Sequence, residues 1–131
     1  MKSTCDCGQL QLHYDGEIQR TSICHCFACQ KRTGSAFGMQ TRLDKARVRI
    51  EGASTTYRRH GDDPADGEVE FHFCPRCGST VYWHLHGMDG FVIAAAGGFA
   101  DPKLPAPVFS VYEARKHPWV TVPASATERW Q

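Results

Sequence analysis

Short runs of alternating apolar and polar residues dominate this chain. "LQLHY" (10–14) and "ARVRI" (46–50) alternate, and each is followed by an acidic residue and a glycine, Asp15-Gly16 and Glu51-Gly52. "TTYRR" (55–59) leads into the polar stretch "HGDDPADG" (60–67), and "EVEFHF" (68–73) sets Val69, Phe71 and Phe73 on one face. "STVYWHL" (79–85), "FVIAAA" (91–96) and "PVFSVY" (107–112) complete the set. No segment sustains a 3.6-residue period over three turns, and only "FACQKRT", after Cys26, suits the start of a short helix. Many short strands with frequent turn signals predict an all-β single domain of antiparallel sheets. The end of the chain, "HPWVTVPASATERWQ", predicts an extended piece around Trp119 and then an irregular terminus. The domain is accordingly expected over residues 1–120, with a tail over 121–131 that packs on it or trails from it.

Composition narrows the class. A chain of 131 residues is large enough to bury one sizeable core, and no linker, charge run or repeat divides it. Lys plus Arg number 15 against 14 Asp plus Glu, a net charge of +1. That near-balance disfavours a nucleic-acid-binding module, which carries a basic excess or stripe. The longest apolar run, "FVIAAAGGFA" (91–100), is too short to span a bilayer, and "MKSTCDCGQL" lacks the apolar stretch of a secretory signal. The expectation is a cytoplasmic protein whose partners are neither nucleic acid nor membrane.

In that compartment seven clustered cysteines read as metal ligands or catalytic thiols rather than disulfides. They fall into C-x-C (Cys5, Cys7), C-x-C-x2-C (Cys24, Cys26, Cys29) and C-x2-C (Cys74, Cys77). The first and last groups are each followed at once by glycine, in "CDCG" and "CPRCG". Glycine there permits a tight turn that aims backbone N–H groups at the sulfur. Cys5, Cys7, Cys74 and Cys77 therefore pair as one tetrahedral, all-thiolate zinc site. A redox pair at "CPRC" is the competing reading, but the βαβ context it needs is missing.

Cys24, Cys26 and Cys29 remain, and three thiolates on one zinc leave a fourth position free. Open positions distinguish catalytic from structural zinc, and a thiolate-rich ion suits a soft exogenous thiol better than water. Lys31 and Arg32 stand near enough to offset the anionic charge or to meet carboxylates of a ligand; equally they are ordinary solvated cations. A closed site is the alternative, with His25, His72, His84 or His86 as fourth ligand. His84 and His86 flank Leu85 and form a candidate proton-transfer pair, or simply an exposed strand end. His72 lies opposite the apolar face of its strand.

The order of these groups is specific. "CDCG", "CHCFACQKRTGSAFG", "FCPRCGSTVYW", "GGFADP" and "KHPWV" resemble, from Cys5 to about Trp119, the glutathione-dependent formaldehyde-activating enzyme family, which includes centromere protein V type members. The resemblance implies a β-tent fold of antiparallel sheets stapled by two zinc ions. It implies that Cys5, Cys7, Cys74 and Cys77 are structural ligands, and that Cys24, Cys26 and Cys29 form the catalytic-type site. It implies carbon–sulfur lyase chemistry, the reversible condensation of glutathione with formaldehyde to S-(hydroxymethyl)glutathione, so that the partner is a small-molecule thiol. Thr33, Gly34 and Ser35 match a family turn leaving the second site, and Asp101 matches a loop-fixing aspartate. A non-catalytic zinc scaffold that binds a protein partner is the second functional reading, because fold does not fix function.

Overall fold

The computed structural model describes residues 1–131. In chain order the strands are β1 (Lys2–Thr4), β2 (Gln11–Tyr14), β3 (Thr21–Cys24), β4 (Gly38–Asp44), β5 (Val48–Glu51), β6 (Thr55–His60), β7 (Glu68–Phe73), β8 (Thr80–Leu85), β9 (Phe91–Ala95), β10 (Phe109–Val111) and β11 (Glu128–Arg129). One short helix, α1 (Phe27–Thr33), follows β3. A small sheet runs β1-β2-β5, and a large one runs β11-β10-β3-β4-β9-β8-β7-β6. The chain is thus an all-β domain of the expected class. One detail differs from a purely antiparallel expectation: β10 lies parallel to both β3 and β11.

Period-two alternation decides what each face of the sheet covers. Leu12 and Tyr14 of β2 turn inward with Leu10 to meet Leu43, Val81, Val92 and Ala94 of the large sheet. Those residues form the main core, where Leu10, Leu12 and Leu43 have no exposed surface. The opposite face of β7, β8 and β9 carries a second apolar group, Val69, Phe71, Trp83 and Ile93. The regular alternation in "EVEFHF" therefore builds a wall on the side away from the main core.

Four strands escaped the pattern, the short β11 in the predicted irregular terminus among them. All four residues of β3 are buried, Thr21 and Ser22 included, so no alternation marks it. β4 hides Gly38, Thr41 and Leu43 among polar residues, and β1 is only three residues long. The run at 46–50 is strand only from Val48, because Asp44 Oδ1 accepts from the Ala46 N–H at 3.0 Å and caps a single 3-10 turn. Around Trp119 the chain turns instead of extending: the Val120 N–H bonds the His117 carbonyl at 3.0 Å, and Trp119 stacks on the His117 ring.

Residues 121–131 return to the sheet through β11, which lies beside β10. Arg129 Nε donates to the buried Glu113 carboxylate at 2.7 Å. That bond holds the Glu113 carboxyl below the usual carboxylate range. The stabilisation is therefore present above the unfolded-state value and is lost as pH falls through the lower folded value. Arg129→Ala is expected to speed amide exchange at Glu113 and Trp130, whose N–H groups bond Trp130 and Ser110 carbonyls, and to weaken that acid-side dependence. Exchange rates measured against pH provide the check.

Candidate metal centres and active-site cavity

The hairpin before β2 and the turn between β7 and β8 bring Cys5, Cys7, Cys74 and Cys77 together, with all four Sγ atoms within 4.8 Å of one another. Cys5 and Cys7 Sγ are 3.6 Å apart, and Cys7 and Cys74 Sγ are 3.7 Å apart. A tetrahedron of sulfurs about 2.3 Å from a zinc ion has edges of about 3.8 Å, so the donor set fits that ion. The glycines behave as their positions demand: Gly8 and Gly78 take φ of 83° and 82°, in the left-handed region where a Cβ is unfavourable. Backbone N–H groups then turn to the sulfurs, from Leu10 to Cys5 at 3.3 Å and from Arg76 and Cys77 to Cys74 at 3.3 and 3.4 Å. Gln9, which no sequence motif marks, adds an Nε2–H donor to Cys74 Sγ at 3.1 Å while its amide clasps Ala53.

Cys24 ends β3, Cys26 caps α1, and Cys29 lies one turn into that helix. Cys26 Sγ accepts from the Cys29 N–H at 3.3 Å, the bond an N-cap side chain makes. These three buried sulfurs also lie within 4.8 Å of one another, and no histidine, aspartate or glutamate joins them. His25, between two of them, is fully buried with Nε2 at 3.0 Å from Ser110 Oγ. His72 and His84 belong to the far face of β7 and β8, and His86 is exposed. The closed alternative with a histidine at the fourth corner therefore finds no ligand in this structure.

Three thiols in contact cannot all ionise beside one another. Hydrogen bonds from Cys24 and then Cys26, with the Arg32 charge, pull Cys29 down to about 3. The contacts with Cys26 and Cys29 push Cys24 up; Cys26, drawn down by Cys24, is raised on balance by Cys29 and burial. The cluster concentrates negative charge on one sulfur and asks for a cation. That is the donor chemistry a zinc ion satisfies.

The triplet faces a cavity of about 330 Å³. Its wall is the second apolar group, Val69, Phe71, Trp83 and Ile93. Four arginines line it as well: Arg20, Arg32, Arg42 and Arg59. None has a carboxylate partner, whereas Arg47, Arg49, Arg58, Arg115 and Arg129 all do. They are instead held by aromatic faces, with Arg20 3.5 Å from the Phe109 centroid, Arg42 4.8 Å from Phe91 and Arg32 4.5 Å from Trp83. Burial, and then the Arg42 charge, makes the Arg20 guanidinium less basic than usual. Gly38 makes room for this arrangement, since a Cβ there would lie 3.1 Å from an Arg32 Nη atom and 3.3 Å from Cys29 Cβ. Lys31, by contrast, is exposed on the outer side of α1.

The polar loop at 60–67 closes one side of the cavity. Asp62 accepts from the Phe27 and Ala28 N–H groups at 2.8 and 3.1 Å, so it docks the loop on the start of α1. Asp66 accepts from Tyr112 Oη at 2.7 Å, and Tyr112 packs on the cysteine triplet with its backbone at φ 57°. Such a left-handed tyrosine costs on the order of 1 kcal/mol, which the surrounding contacts hold in place. Burial and the Asp66 bond raise the Tyr112 hydroxyl above the usual phenol range, so it keeps its proton. Neither aspartate nor Tyr112 carried a local motif; an unpaired helix start at Phe27 was the signal that an acceptor had to come from elsewhere. Thr33 Oγ1, donating to the Cys29 carbonyl and accepting from Ser35 N–H, makes the "TGS" turn, and Asp101 Oδ1 fixes its own loop through Lys103 N–H.

Comparison with known proteins agrees with this architecture. A family model described as glutathione-dependent formaldehyde-activating enzyme matches residues 1–115. The chain also superimposes on the crystal structure of a Rhodobacter sphaeroides protein, a structural-genomics target, over 100% of both chains with a TM-score of 0.59. At 16% identity that is a likeness of fold. No curated protein matches the sequence.

Proposed function

We propose, because this chain belongs to the glutathione-dependent formaldehyde-activating enzyme family, that it is a zinc-dependent carbon–sulfur lyase acting on the formaldehyde adduct of a small, carboxylate-bearing thiol such as glutathione. One observation supports this reading above the others. Three thiols without a fourth protein ligand face a cavity whose four arginines lack carboxylate partners. A zinc ion held by Cys24, Cys26 and Cys29 would supply a soft position that keeps a substrate sulfur deprotonated near neutral pH.

The chain's own residues do the rest. Arg20 and Arg42 bind substrate carboxylates, a task suited to a planar, always-charged donor fork. Arg32, over Cys29, offsets the anionic charge of the sulfur cluster. Phe71 and Trp83 exclude water from the reacting carbon. In the condensing direction a sulfur–carbon bond forms, and the aldehyde oxygen takes a proton from Tyr112 Oη. Asp66, which accepts from that hydroxyl, orients it and relays the replacement proton, the one the thiol loses on becoming a thiolate. In the lyase direction the hydroxymethyl O–H gives its proton back along the same route as the carbon–sulfur bond breaks. No histidine lines the cavity, so proton transfer falls to Tyr112 and Asp66 rather than to His84 and His86, which could equally be read as an exposed strand end.

Cobalt-substituted protein tests the reading. Glutathione is expected to shift the sulfur-to-cobalt charge-transfer bands, and cysteamine, which lacks carboxylates, to do so only at higher concentration. Arg42→Gln should weaken the glutathione response about tenfold, the scale of one charge-assisted pair. Bands that ignore every thiol would overturn the proposal.

A further inference from the structure

On the face of β7 and β8 away from the cavity lies a cluster that the lyase chemistry does not use. Glu70 and His72 are two residues apart on β7, and His84 stands opposite Glu70 in the β8 register. Their ligand atoms lie within 4.8 Å of one another. All three side chains are half-buried, and His72 Nε2 is a buried nitrogen without a hydrogen-bond partner. Glu70 Oε2 faces that nitrogen at 3.5 Å.

We propose that Glu70, His72 and His84 form a third metal site, for a zinc-class divalent cation held by two imidazoles and one carboxylate. Each ligand is already oriented by a neighbour. His72 Nδ1 lies 2.9 Å from Ser54 Oγ; in the tautomer that donates Nδ1–H to that hydroxyl, the Nε2 lone pair is bare and points into the cluster. Its ring is stacked on Tyr82, with centroids 4.4 Å apart and planes at 9°, and stands perpendicular to the His84 ring. Arg58 occupies Glu70 Oε1 at 2.8 Å, which leaves Oε2 for the cation.

In that tautomer a bare imidazole nitrogen faces a carboxylate oxygen, setting two lone-pair bearers against each other. A cation between them removes the conflict, and two imidazoles with a carboxylate suit zinc, cobalt or nickel with water completing the shell. The neutral tautomer with its hydrogen on Nε2, Ser54 Oγ donating to Nδ1, is the other resolution. The site differs from both cysteine clusters in ligand hardness and ties β7 to β8 beside the turn that carries Cys74.

The experiment uses protein that retains its own zinc, dialysed against Ni2+ with nickel and zinc counted in the same sample. One nickel per chain is expected above an unchanged zinc content. His84→Ala should weaken nickel binding by at least about 100-fold and Glu70→Gln by at least about tenfold, the range over which metal-site contacts act. His86→Ala, a change to an exposed histidine outside the cluster, should leave it unaltered. Circular dichroism and zinc content report whether each variant is folded, and Glu70→Gln preserves shape should His84→Ala fail. No nickel beyond the zinc, nickel gained only as zinc leaves, or equal binding by folded His84→Ala and Glu70→Gln would each overturn the site. The last two would assign the uptake to the cysteines or to the surface, and the first would leave the Nε2–H tautomer as the solution.

Discussion

Cys5→Ala is expected to yield a chain that fails to reach the native state, or that melts tens of degrees below the parent and holds one zinc fewer. Cys5 is buried, its sulfur is 3.6 Å from Cys7, and it accepts the Leu10 N–H that starts the run into the main core. Losing it breaks the link between the amino-terminal hairpin and the β7–β8 turn, a closure spanning some seventy residues between Cys5 and Cys74. Structural zinc in small modules contributes about 10–16 kcal/mol of apparent folding free energy. Native domains are stable by only about 5–15 kcal/mol, so the loss is of the same size as the whole. The hydrophobic core alone would have to compensate, and two of the sulfur ligands, Cys5 and Cys74, are themselves members of that core. Cys5→Ser should do no better, because a hydroxyl is a poor zinc ligand. Zinc content and a thermal melt on the same sample measure both effects. A Cys5→Ala protein melting within a few degrees of the parent would show that this cluster does not hold the fold.

The cysteine groups were legible because ligand spacing is a local property. Within "CHCFAC" the helix start at Phe27 places Cys29 back over Cys26, and "CPRCG" turns on its glycine, so the chain's own geometry clusters each group. Joining Cys5 and Cys7 to Cys74 and Cys77 required only count and the shared glycine context. The strands that show alternation, β2, β5 and β7, were readable for the same reason: each has one face on an apolar core. β3 was silent because it is covered on both faces, and β10 could be read as a strand but not as a parallel one. The cavity was not legible at all. Arg20 and Arg42 come from β3's approach and from β4, Phe71 and Trp83 from β7 and β8, and Tyr112 from the end of β10. Only the sheet order brings them to one place. "HGDDPADG" reads only as a polar stretch, yet two of its aspartates are committed to α1 and to Tyr112. Polar loops can be walls when a helix start and a buried hydroxyl each need an acceptor.

Cys26 separates the two functional readings. Cys26→Ala is expected to fold, to bind one zinc fewer and to lose turnover by about 10³-fold or more, since metal stabilisation of a developing charge amounts to several kcal/mol. Its structural cost is smaller. The substitution removes the N-cap acceptor of a helix only seven residues long, worth about 1 kcal/mol, together with the packing of one sulfur. Cys26→Ser sharpens the comparison. Serine is among the best N-caps, so it restores the acceptor for the Cys29 N–H and most of the lost stability, but it is too hard a ligand to restore the thiolate set. Stability should therefore recover in the serine variant while turnover and the second zinc do not. A scaffold whose two metals both serve folding makes the opposite forecast: Cys26→Ser would unfold as readily as Cys5→Ala, because the cap would be incidental and the metal decisive. The sheet position of the triplet argues for the first outcome. Cys24 is the last residue of β3, already fixed by pairing with Gly38 and Val111, so the strand's order does not wait on the ion. Side-by-side melts of Cys26→Ser and Cys5→Ala, with zinc counted in each, decide between them.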